Sequence, residues 1–253
     1  MNTVHDHYAR HLAPIYTWMV GGIEQALALG AQDMAPFLGR PGYAVDLGAG
    51  FGMHSMALAR AGFEVLALDR SAQLLAELRA QAAGWPVEAV EADLLRFTAH
   101  LRRPADLILC MGDTLPHLRS LRQVERLMQD VARSLRPGGR FVASFRDYRQ
   151  LPQGELRFIP VRSDADRILT CGLEVRRTRV LVHDILQERT GATWSMRVGS
   201  YAKLRLSPDG VRRTAEAAGL RCRVEPGPRG MVQVLGEAVA PSGHFGSHDE
   251  PPP

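Results

Sequence analysis

The stretch Val45-Asp46-Leu47-Gly48-Ala49-Gly50-Phe51-Gly52 closes an apolar run and opens a helical pattern that covers residues 53–60. An apolar run that ends in closely spaced glycines before a helix is typical of a buried strand that turns tightly into that helix. Glycine lets the backbone adopt positive φ values and approach a ligand closely. The amides at the start of the helix point to the same place. The stretch therefore predicts a ligand-binding strand–turn–helix unit.

The same alternation of strands and helices continues along the chain after this unit. We expect further strands at 63–68, 87–90, 105–111 and 141–145, helices at 72–83 and 121–135, then a helix at 208–218 and strands at 220–224 and 231–235. Alternating elements of these lengths predict an α/β fold: a doubly wound, Rossmann-like, mostly parallel seven-stranded sheet.

The segment 150–206 breaks this alternation. Its strand patterns predict an antiparallel β insertion between the fifth strand and the last helix. We expect the insertion to be a substrate element or, because exposed sheet edges invite pairing, a homodimer contact. The other predicted regions are an N-terminal helical lid at 1–40, a Rossmann-like domain at 41–149 and 207–239, and a disordered tail at 240–253.

Composition limits the class of protein. The chain has 253 residues, of which 45% are hydrophobic and 23% charged, as in an ordinary soluble domain. No apolar run approaches the ~18 residues that a membrane span needs, and the N-terminus has no signal-peptide pattern. The three cysteines form no CxxC pair, so we expect neither a disulfide framework nor a zinc site. These features predict a cytoplasmic protein without a membrane partner.

The basic residues have three interpretations. The net charge is +4, and 30 of the 31 basic side chains are arginines, which together with the many alanines suits a GC-rich bacterial genome. The surplus lies in 150–206, with ten basic and six acidic side chains. Solvated surface arginines and an arginine-lined pocket for an anionic small molecule are both compatible with it. Diffuse basicity without a recognition module argues against a nucleic-acid partner.

Two acidic residues follow the next two predicted strands. Asp69 ends the second strand, where a carboxylate can accept hydrogen bonds from both ribose hydroxyls of a nucleoside. Asp93 ends the third, where it can reach an adenine amino group. A dinucleotide fingerprint reads GxGxxG, whereas the third glycine here, Gly52, comes one residue early and Met53 takes its place. The spacing therefore disfavours an NAD-dependent oxidoreductase.

The register G-x-G-x-G preceded by an acid resembles class I S-adenosylmethionine-dependent methyltransferases, over residues 43–147 and 207–236. The segment Arg136-Pro137-Gly138-Gly139 is similar to the LxPGG turn of that superfamily. The segment from Leu109 to Leu118 resembles the C-x-G-N-S-x-x-H-L motif of glycine N-methyltransferase-like enzymes, with Asp113 and Thr114 in place of Asn and Ser. Tyr16-Thr17-Trp18-Met19 is similar to their N-terminal element that closes over the cofactor.

The resemblance implies S-adenosylmethionine as cofactor and S-adenosylhomocysteine as product. The implied cofactor contacts are Tyr16, Trp18, Asp46, Gly48, Ala49, Gly50, Gly52, Asp69, Arg70, Asp93, Leu94, Cys110 and Met111. Glycine itself is not implied as substrate, because the substrate-binding residues of those enzymes have no matching positions here.

The candidate catalytic residues are His117, His183 and Asp113. His117 is either a general base or a residue that holds its loop, and Asp113 either binds the acceptor or forms a turn. His183 and Asp184 are adjacent on a predicted strand, so only one of them faces the cleft. The candidate substrate contacts are Tyr8, Arg146, Tyr148, Trp194 and Tyr201. His5, His7 and His11 lack a cysteine or clear carboxylate partner, so we predict no metal site.

Together these features predict a methyltransferase that transfers a methyl group by in-line displacement to an N, O or S atom of a small anionic molecule. The alternatives are an RNA or protein methyltransferase and a non-catalytic S-adenosylmethionine-binding protein. The segment from Cys110 to Asp113 is not the signature of base-amino methylation, which disfavours the nucleic-acid alternative.

Overall fold

The computed structural model describes residues 11–149, 151 and 153–239. The predicted substrate contact Tyr8, the histidines His5 and His7, and the predicted tail at 240–253 lie outside these residues. The strands are β1 (Tyr43–Leu47), β2 (Glu64–Asp69), β3 (Val87–Glu91), β4 (Ala105–Cys110), β5 (Leu135–Phe145), β6 (Leu156–Ser163), β7 (Arg167–Val175), β8 (Arg179–Thr190), β9 (Thr193–Leu204), β10 (Leu220–Pro226) and β11 (Val232–Ala238).

The strands form two sheets. The large sheet has seven strands in the order β10-β11-β5-β4-β1-β2-β3. Its strands pair in parallel except for β11, which is antiparallel to both β5 and β10. The small sheet contains β6 to β9 in chain order, all antiparallel, and lies in the chain between β5 and the last helix. The predicted fold class is confirmed.

The helices are α1 (Tyr16–Met19), α2 (Ile23–Met34), α3 (Met53–Arg60), α4 (Ala72–Gln81), α5 (Leu121–Ser134) and α6 (Pro208–Ala217). Three of them begin after a serine whose hydroxyl accepts an amide of the first turn: Ser71 from Leu74, Ser120 from Gln123 and Ser207 from Gly210. No helix within the described part of the chain is long and apolar enough to cross a membrane.

Both faces of the large sheet are covered, which makes it doubly wound. Leu127 and Val131 of α5 pack with Phe141 of β5 in one buried cluster. Met56 of α3 and Leu78 of α4 belong to a second cluster, on the other side. The strands between them are buried on both faces, which explains their continuous apolar sequence.

The Pro137-Gly138-Gly139 segment differs from its prediction as a turn that precedes a strand. It lies inside β5, where the pairing shifts from Ala105 with Leu135 to Leu107 with Arg140. Gly138 has φ +72°, which lets the extra residues bulge out while both ends of the strand stay paired with β4.

The small sheet has one buried and one exposed face. Val180, Val182 and Asp184 of β8 alternate with more exposed neighbours and lie on the buried face. The opposite face exposes large apolar side chains, including Phe158 and Met196.

The N-terminal segment connects the two sheets. Leu12 packs with Val182 and Tyr148, and Tyr16 contacts Phe51 with ring centroids 6.0 Å apart. The Thr17 hydroxyl donates to Glu77 of α4, and Trp18 Nε1 donates to Asp164 beyond β6, each over 2.5 Å. This segment therefore contacts both the glycine-containing turn and the small sheet.

A buried carboxylate joins α2 to two other elements. Asp33 accepts two hydrogen bonds from Arg229, over 3.0 and 2.7 Å, and lies 3.0 Å from His54 Nε2 of α3. Arg229 has φ +53°, an uncommon conformation for a residue other than glycine. The ion pair fixes the loop between β10 and β11 against α2, and the same carboxylate joins α2 to His54 of the helix that follows the glycines.

Candidate functional site

The turn after β1 is built from glycines in left-handed conformations. Gly48, Gly50 and Gly52 have φ values of +79°, +57° and +93°. A Cβ atom at Gly48 would collide with the Thr114 side chain, and one at Gly52 would collide with the Leu78 side chain. Only glycine therefore fits the first and third positions, because any side chain would collide as well as strain the backbone.

Asp69 joins this turn to the end of β2. Its Oδ2 accepts the Gly50 N–H and its Oδ1 accepts the Ser71 N–H, each over 2.8 Å. An ionised carboxylate has about four acceptor sites and can accept several hydrogen bonds at once. Asp69 lines a cavity of about 300 Å³. It is thus part of the turn and also part of the cavity wall.

The remaining strand ends complete the cavity. Asp93, Leu94 and Arg70 line it near β3, and Thr114 and His117 line it near β4. Asp93 lies two residues beyond the end of β3, where its Oδ1 accepts the Leu95 N–H over 2.9 Å. Its other oxygen lies 3.7 Å from Arg70.

Some predicted cofactor contacts lie behind the cavity rather than on its wall. Asp46 is 1% exposed and accepts the Ser55 hydroxyl over 2.7 Å, so it supports the first turn of α3. Burial raises the pKa of Asp46, and nearby Asp69 adds to this, although His54 and Ser55 oppose it. Cys110 is fully buried, and burial raises the pKa of its thiol. Ala49 and Met111 are buried beside the same strands.

The loop that follows β4, residues 111–118, is hereafter the His117 loop. Asp113 in this loop has φ +69°. Its Oδ1 accepts the N–H of Arg146, over 3.0 Å, and its Oδ2 lies 2.7 Å from Lys203 Nζ of β9. Both side chains of this ion pair are buried. Asp113 therefore forms an ion pair with Lys203. A methyl acceptor could contact the Asp113 carboxylate directly only if it fitted beside the Lys203 ammonium.

Sequence reasoning missed Lys203. It is the only lysine of the chain, and it lies in β9 on the same face as Tyr201, which is buried. A lysine on the buried face of a strand indicates a buried ion pair, because a lysine is almost never fully buried unless it is paired.

Aromatic side chains surround this ion pair. The His117 and Tyr201 rings stack with centroids 5.5 Å apart and an interplanar angle of 21°. Lys203 Nζ lies 5.5 Å from the centroid of the same Tyr201 ring. Tyr148 is buried in the same cluster as Tyr201, and burial raises its pKa to about 12. Burial likewise raises the pKa of Tyr16. The structure thus brings together four predicted residues: His117, Tyr148, Tyr201 and Tyr16.

Other predicted residues lie elsewhere. His183 is on the outer face of the small sheet, next to Phe158 across Gly172, with its Nδ1 2.7 Å from Ser200 Oγ. Trp194 is 45% exposed and pairs with Arg189 at the far end of β9. Strand alternation puts Asp184, not His183, on the buried face. The geometry therefore argues against a catalytic role for His183 and a substrate contact for Trp194.

Arginines make several contacts outside the cavity. Trp18 lies between two of them, with Arg162 and Arg167 5.7 and 4.8 Å from its ring centroid. The Arg146 side chain is exposed. Surface ion pairs of the small sheet join Arg157 to Glu155, Arg176 to Glu174, Arg189 to Asp166, and Arg197 to Glu188. These contacts favour the solvated interpretation of the arginine surplus. Over the described residues, no group of three or more His, Cys, Asp or Glu side chains is placed to hold a metal ion.

Part of this chain is similar in sequence to known methyltransferases. Residues 44–139 match the family described as "Methyltransferase domain". A glycine/sarcosine N-methyltransferase of Halorhodospira halochloris is 27% identical over 106 residues, which is 41% of this chain and 40% of that protein. A cypemycin N-terminal methyltransferase of a Streptomyces species is 30% identical over 128 residues, 50% and 51% of the two chains. The alignments thus span about half or less of these relatives.

Solved structures match over most of the chain. The CcbJ methyltransferase of Streptomyces caelestis is 20% identical, with a TM-score of 0.76 over 92% of this chain and 98% of that chain. An amino pentose methyltransferase of Micromonospora echinaspora, solved with S-adenosylmethionine bound, is 16% identical, with a TM-score of 0.72 over 89% and 96%. Residues 44–139 of this chain are thus similar to a methyltransferase domain, and the chain shares the fold of solved methyltransferases.

Proposed function

We propose that this chain transfers a methyl group from S-adenosylmethionine to an amine nitrogen of a small molecule and releases S-adenosylhomocysteine. One observation carries the proposal: the cavity at the strand ends has the Asp69 carboxylate and the glycine turn on one side and His117 on the other. It is supported by the names of the relatives, which include N-methyltransferases of glycine and sarcosine and of a peptide N-terminus.

The residues present fit this cofactor. The missing Cβ at Gly48 leaves room beside Thr114, and a carboxylate that lines the cavity at the end of the second strand, as Asp69 does, suits the two ribose hydroxyls. Asp93 and Leu94 line the part of the cavity where the adenine would lie. When bound, the cofactor supplies an electrophilic methyl group on a sulfonium.

The residues of the chain then have two tasks. A protonated amine has no free electron pair, so a base must hold the proton of the acceptor, and an imidazole nitrogen of His117 is suited to this because it lines the cavity. Tyr16 packs against Phe51 of the glycine turn, and this apolar contact is expected to keep water away from the turn. Alignment of acceptor and methyl group supplies much of the acceleration.

The proposed acceptor needs no anionic group. The charge at the inner end of the site belongs to the Lys203–Asp113 pair, and surface ion pairs engage several of the insertion arginines. These contacts do not support the anionic group suggested by the arginine content, so the proposal specifies only the amine nitrogen of the acceptor.

The homodimer stays a prediction. Phe158, Met196 and Val198 are 61%, 63% and 55% exposed on the outer face of the small sheet. Burial of this face against a second copy would remove these apolar side chains from water. Light scattering after size-exclusion chromatography measures the mass, and a monomer at micromolar concentration would contradict the homodimer.

The test begins with calorimetric titration of the full chain with S-adenosylmethionine, S-adenosylhomocysteine and NAD. We expect micromolar binding of the two sulfur nucleotides and none of NAD. If folded, ligand-free protein binds neither sulfur nucleotide in this titration, the proposal is overturned. A panel of amino acids, amino sugars and short peptides is then assayed for release of S-adenosylhomocysteine.

Two histidine variants separate chemistry from structure. His117→Ala is expected to lower kcat by about 100- to 10,000-fold, the range for loss of a general base, without change in cofactor affinity. The matched change His183→Ala, on the outer face of the small sheet, is expected to leave both unchanged. Equal losses in the two variants would contradict the role of His117.

A further inference from the structure

The Lys203–Asp113 ion pair connects the small sheet to the His117 loop. Asp113 has φ +69°, a conformation disfavoured for residues other than glycine, and three contacts besides Lys203 hold it there. Its N–H donates to the Ser144 carbonyl over 3.0 Å, the Gly112 N–H donates to Ser144 Oγ over 2.9 Å, and the Arg146 N–H donates to its carboxylate. Lys203 adds the one contact that comes from another sheet.

The residue type at this position is informative. The other 30 basic side chains of the chain are arginines, yet the buried site has the only lysine. An ammonium is a compact point charge, whereas a guanidinium is a wide planar fork. The ammonium lies against the Asp113 carboxylate and near the Tyr201 ring, and this small space suits the compact group.

The ion pair also lies close to the His117 imidazole. Lys203 Nζ and the centroid of the His117 ring are each 5.5 Å from the centroid of Tyr201, so no more than twice that distance separates them. Asp113 is in the same loop as His117, four residues earlier. At such separations and an effective dielectric constant of about 20, one unpaired charge shifts a titration by about one pH unit.

We propose that the Lys203–Asp113 pair is a positioning element for His117: it fixes the strained loop that carries the ring, and its two opposite charges cancel beside the ring. The ion pair therefore adds little net charge beside the ring. The consequence of this inference for catalysis rests on the proposed function. The effect of the ion pair on the His117 titration can be measured without any methyl acceptor.

Other charged and titratable groups also face His117. Asp69, Arg70, Asp93 and Arg119 line the same cavity, and Tyr201 stacks on the ring. Tyr16 and Tyr148 lie in the same inner cluster. All of these are the same in the variants below, so differences between the variants come from the ion pair.

The test measures the titration of the His117 ring by nitrogen-15 NMR of the full chain, with the His117→Gln variant to assign the signal. Lys203→Met leaves the Asp113 carboxylate without its partner, which favours the imidazolium, so the titration midpoint is expected to rise by about one pH unit. Asp113→Asn leaves the ammonium unpaired and is expected to lower it by a similar amount. The double variant is expected to return close to the wild type.

Two further variants make the result specific. Lys203→Arg keeps the charge and is expected to keep the midpoint, while the wider guanidinium is expected to lower the thermal stability of the folded chain. Arg197→Met removes a cation of the same strand that is paired with Glu188 at the surface, and it is expected to have no effect. Midpoints that stay unchanged in folded Lys203→Met and Asp113→Asn, or that move in the same direction, overturn the proposal. If Lys203→Met does not fold, the direction of the shift in Asp113→Asn decides it.

Activity is a separate readout. With an acceptor from the amine panel, the pH dependence of kcat is expected to shift with the NMR midpoint, while the affinity for S-adenosylhomocysteine stays constant. A wild-type chain without methyl transfer to any amine would contradict the proposed function and leave the NMR result standing.

Discussion

The carboxylate of Asp69, at the end of β2, accepts the backbone N–H of Gly50, in the turn after β1, over 2.8 Å. Its second oxygen accepts the N–H of Ser71, which caps α4. One side chain thus fixes the shape of the glycine turn and the start of a helix while it lines the cavity. Changes at Asp69 therefore act on cofactor binding through the turn as well as through the lost contact.

Asp69→Ala is expected to weaken S-adenosylhomocysteine binding by about 10- to 100-fold, because it removes hydrogen bonds to a charged acceptor. Calorimetric titration measures this. Asp209→Ala, which removes an exposed carboxylate of α6, is the matched control and should bind normally. Unchanged affinity in Asp69→Ala would refute the assigned ribose contact.

Gly48→Ala and Gly84→Ala separate backbone strain from collision. Both glycines have positive φ, +79° and +83°, so both variants lose about 1 kcal/mol of stability. A Cβ at Gly84 has no neighbour within 4 Å, whereas one at Gly48 meets Thr114. We expect only Gly48→Ala to lose at least about tenfold in cofactor affinity, because the turn must move.

Thermal denaturation and calorimetry on both variants check this expectation. Equal cofactor affinities in the two variants would mean that the turn accommodates the alanine Cβ at position 48 without a change in the binding site.

Asp33→Asn is expected to alter the acid stability of the protein. Burial alone would raise the pKa of Asp33, but hydrogen bonds from His54 and Arg229 outweigh it and hold the pKa below its ordinary value of 3.8. A lowered pKa in the folded state contributes stability that is complete above the pKa of the unfolded chain and is lost as the pH falls through the folded value.

The free energy of unfolding of the wild type should therefore exceed that of Asp33→Asn by about 1–3 kcal/mol at pH 7. The difference should begin to shrink below about pH 4 and disappear as the pH falls through the lower pKa of the folded state. Urea denaturation at a series of pH values measures it. A difference that is the same at pH 3 and pH 7 would contradict the ion pair as its source.

The cysteines are expected to react with thiol reagents in a fixed order. Burial, with a smaller effect of Glu216, raises the pKa of Cys222 to about 11, and burial followed by Asp184 raises that of Cys171 to about 12. Cys110 is fully buried and its pKa is raised further. Since the thiolate is the reactive form, all three should react slowly at pH 8, in the order Cys222, Cys171, Cys110.

Peptide mass spectrometry after timed alkylation determines the order, and denatured protein is the control in which all three react alike. Early modification of Cys110 in folded protein would contradict its buried position in β4.

The large sheet could be predicted because its signals are local. Continuous apolar runs mark strands buried on both faces, and Gly48, Gly50 and Gly52 mark the turn that needs left-handed backbone. The Pro137-Gly138-Gly139 segment was misplaced for the opposite reason. A bulge depends on the pairing partner β4, which is 25 or more residues away in sequence, and that pairing leaves no trace in the segment itself.

The inner end of the site could be predicted only in part. His117 follows a predicted strand end, so its position at the cavity follows from topology. The pairing of Asp113 with Lys203 joins residues 90 positions apart and depends on how the small sheet packs on the His117 loop. Strand alternation did predict that only one of His183 and Asp184 faces inward, but not which, because the register of β8 depends on its neighbours.

Lys203 also determines how the protein responds to amine-directed chemistry. With the only ε-amino group of the chain buried, coupling by activated esters finds no lysine on the folded surface. Acylation of Lys203 requires β9 to separate from the His117 loop. The rate of that acylation therefore reports how often the small sheet opens, and no engineered probe is needed in the chain.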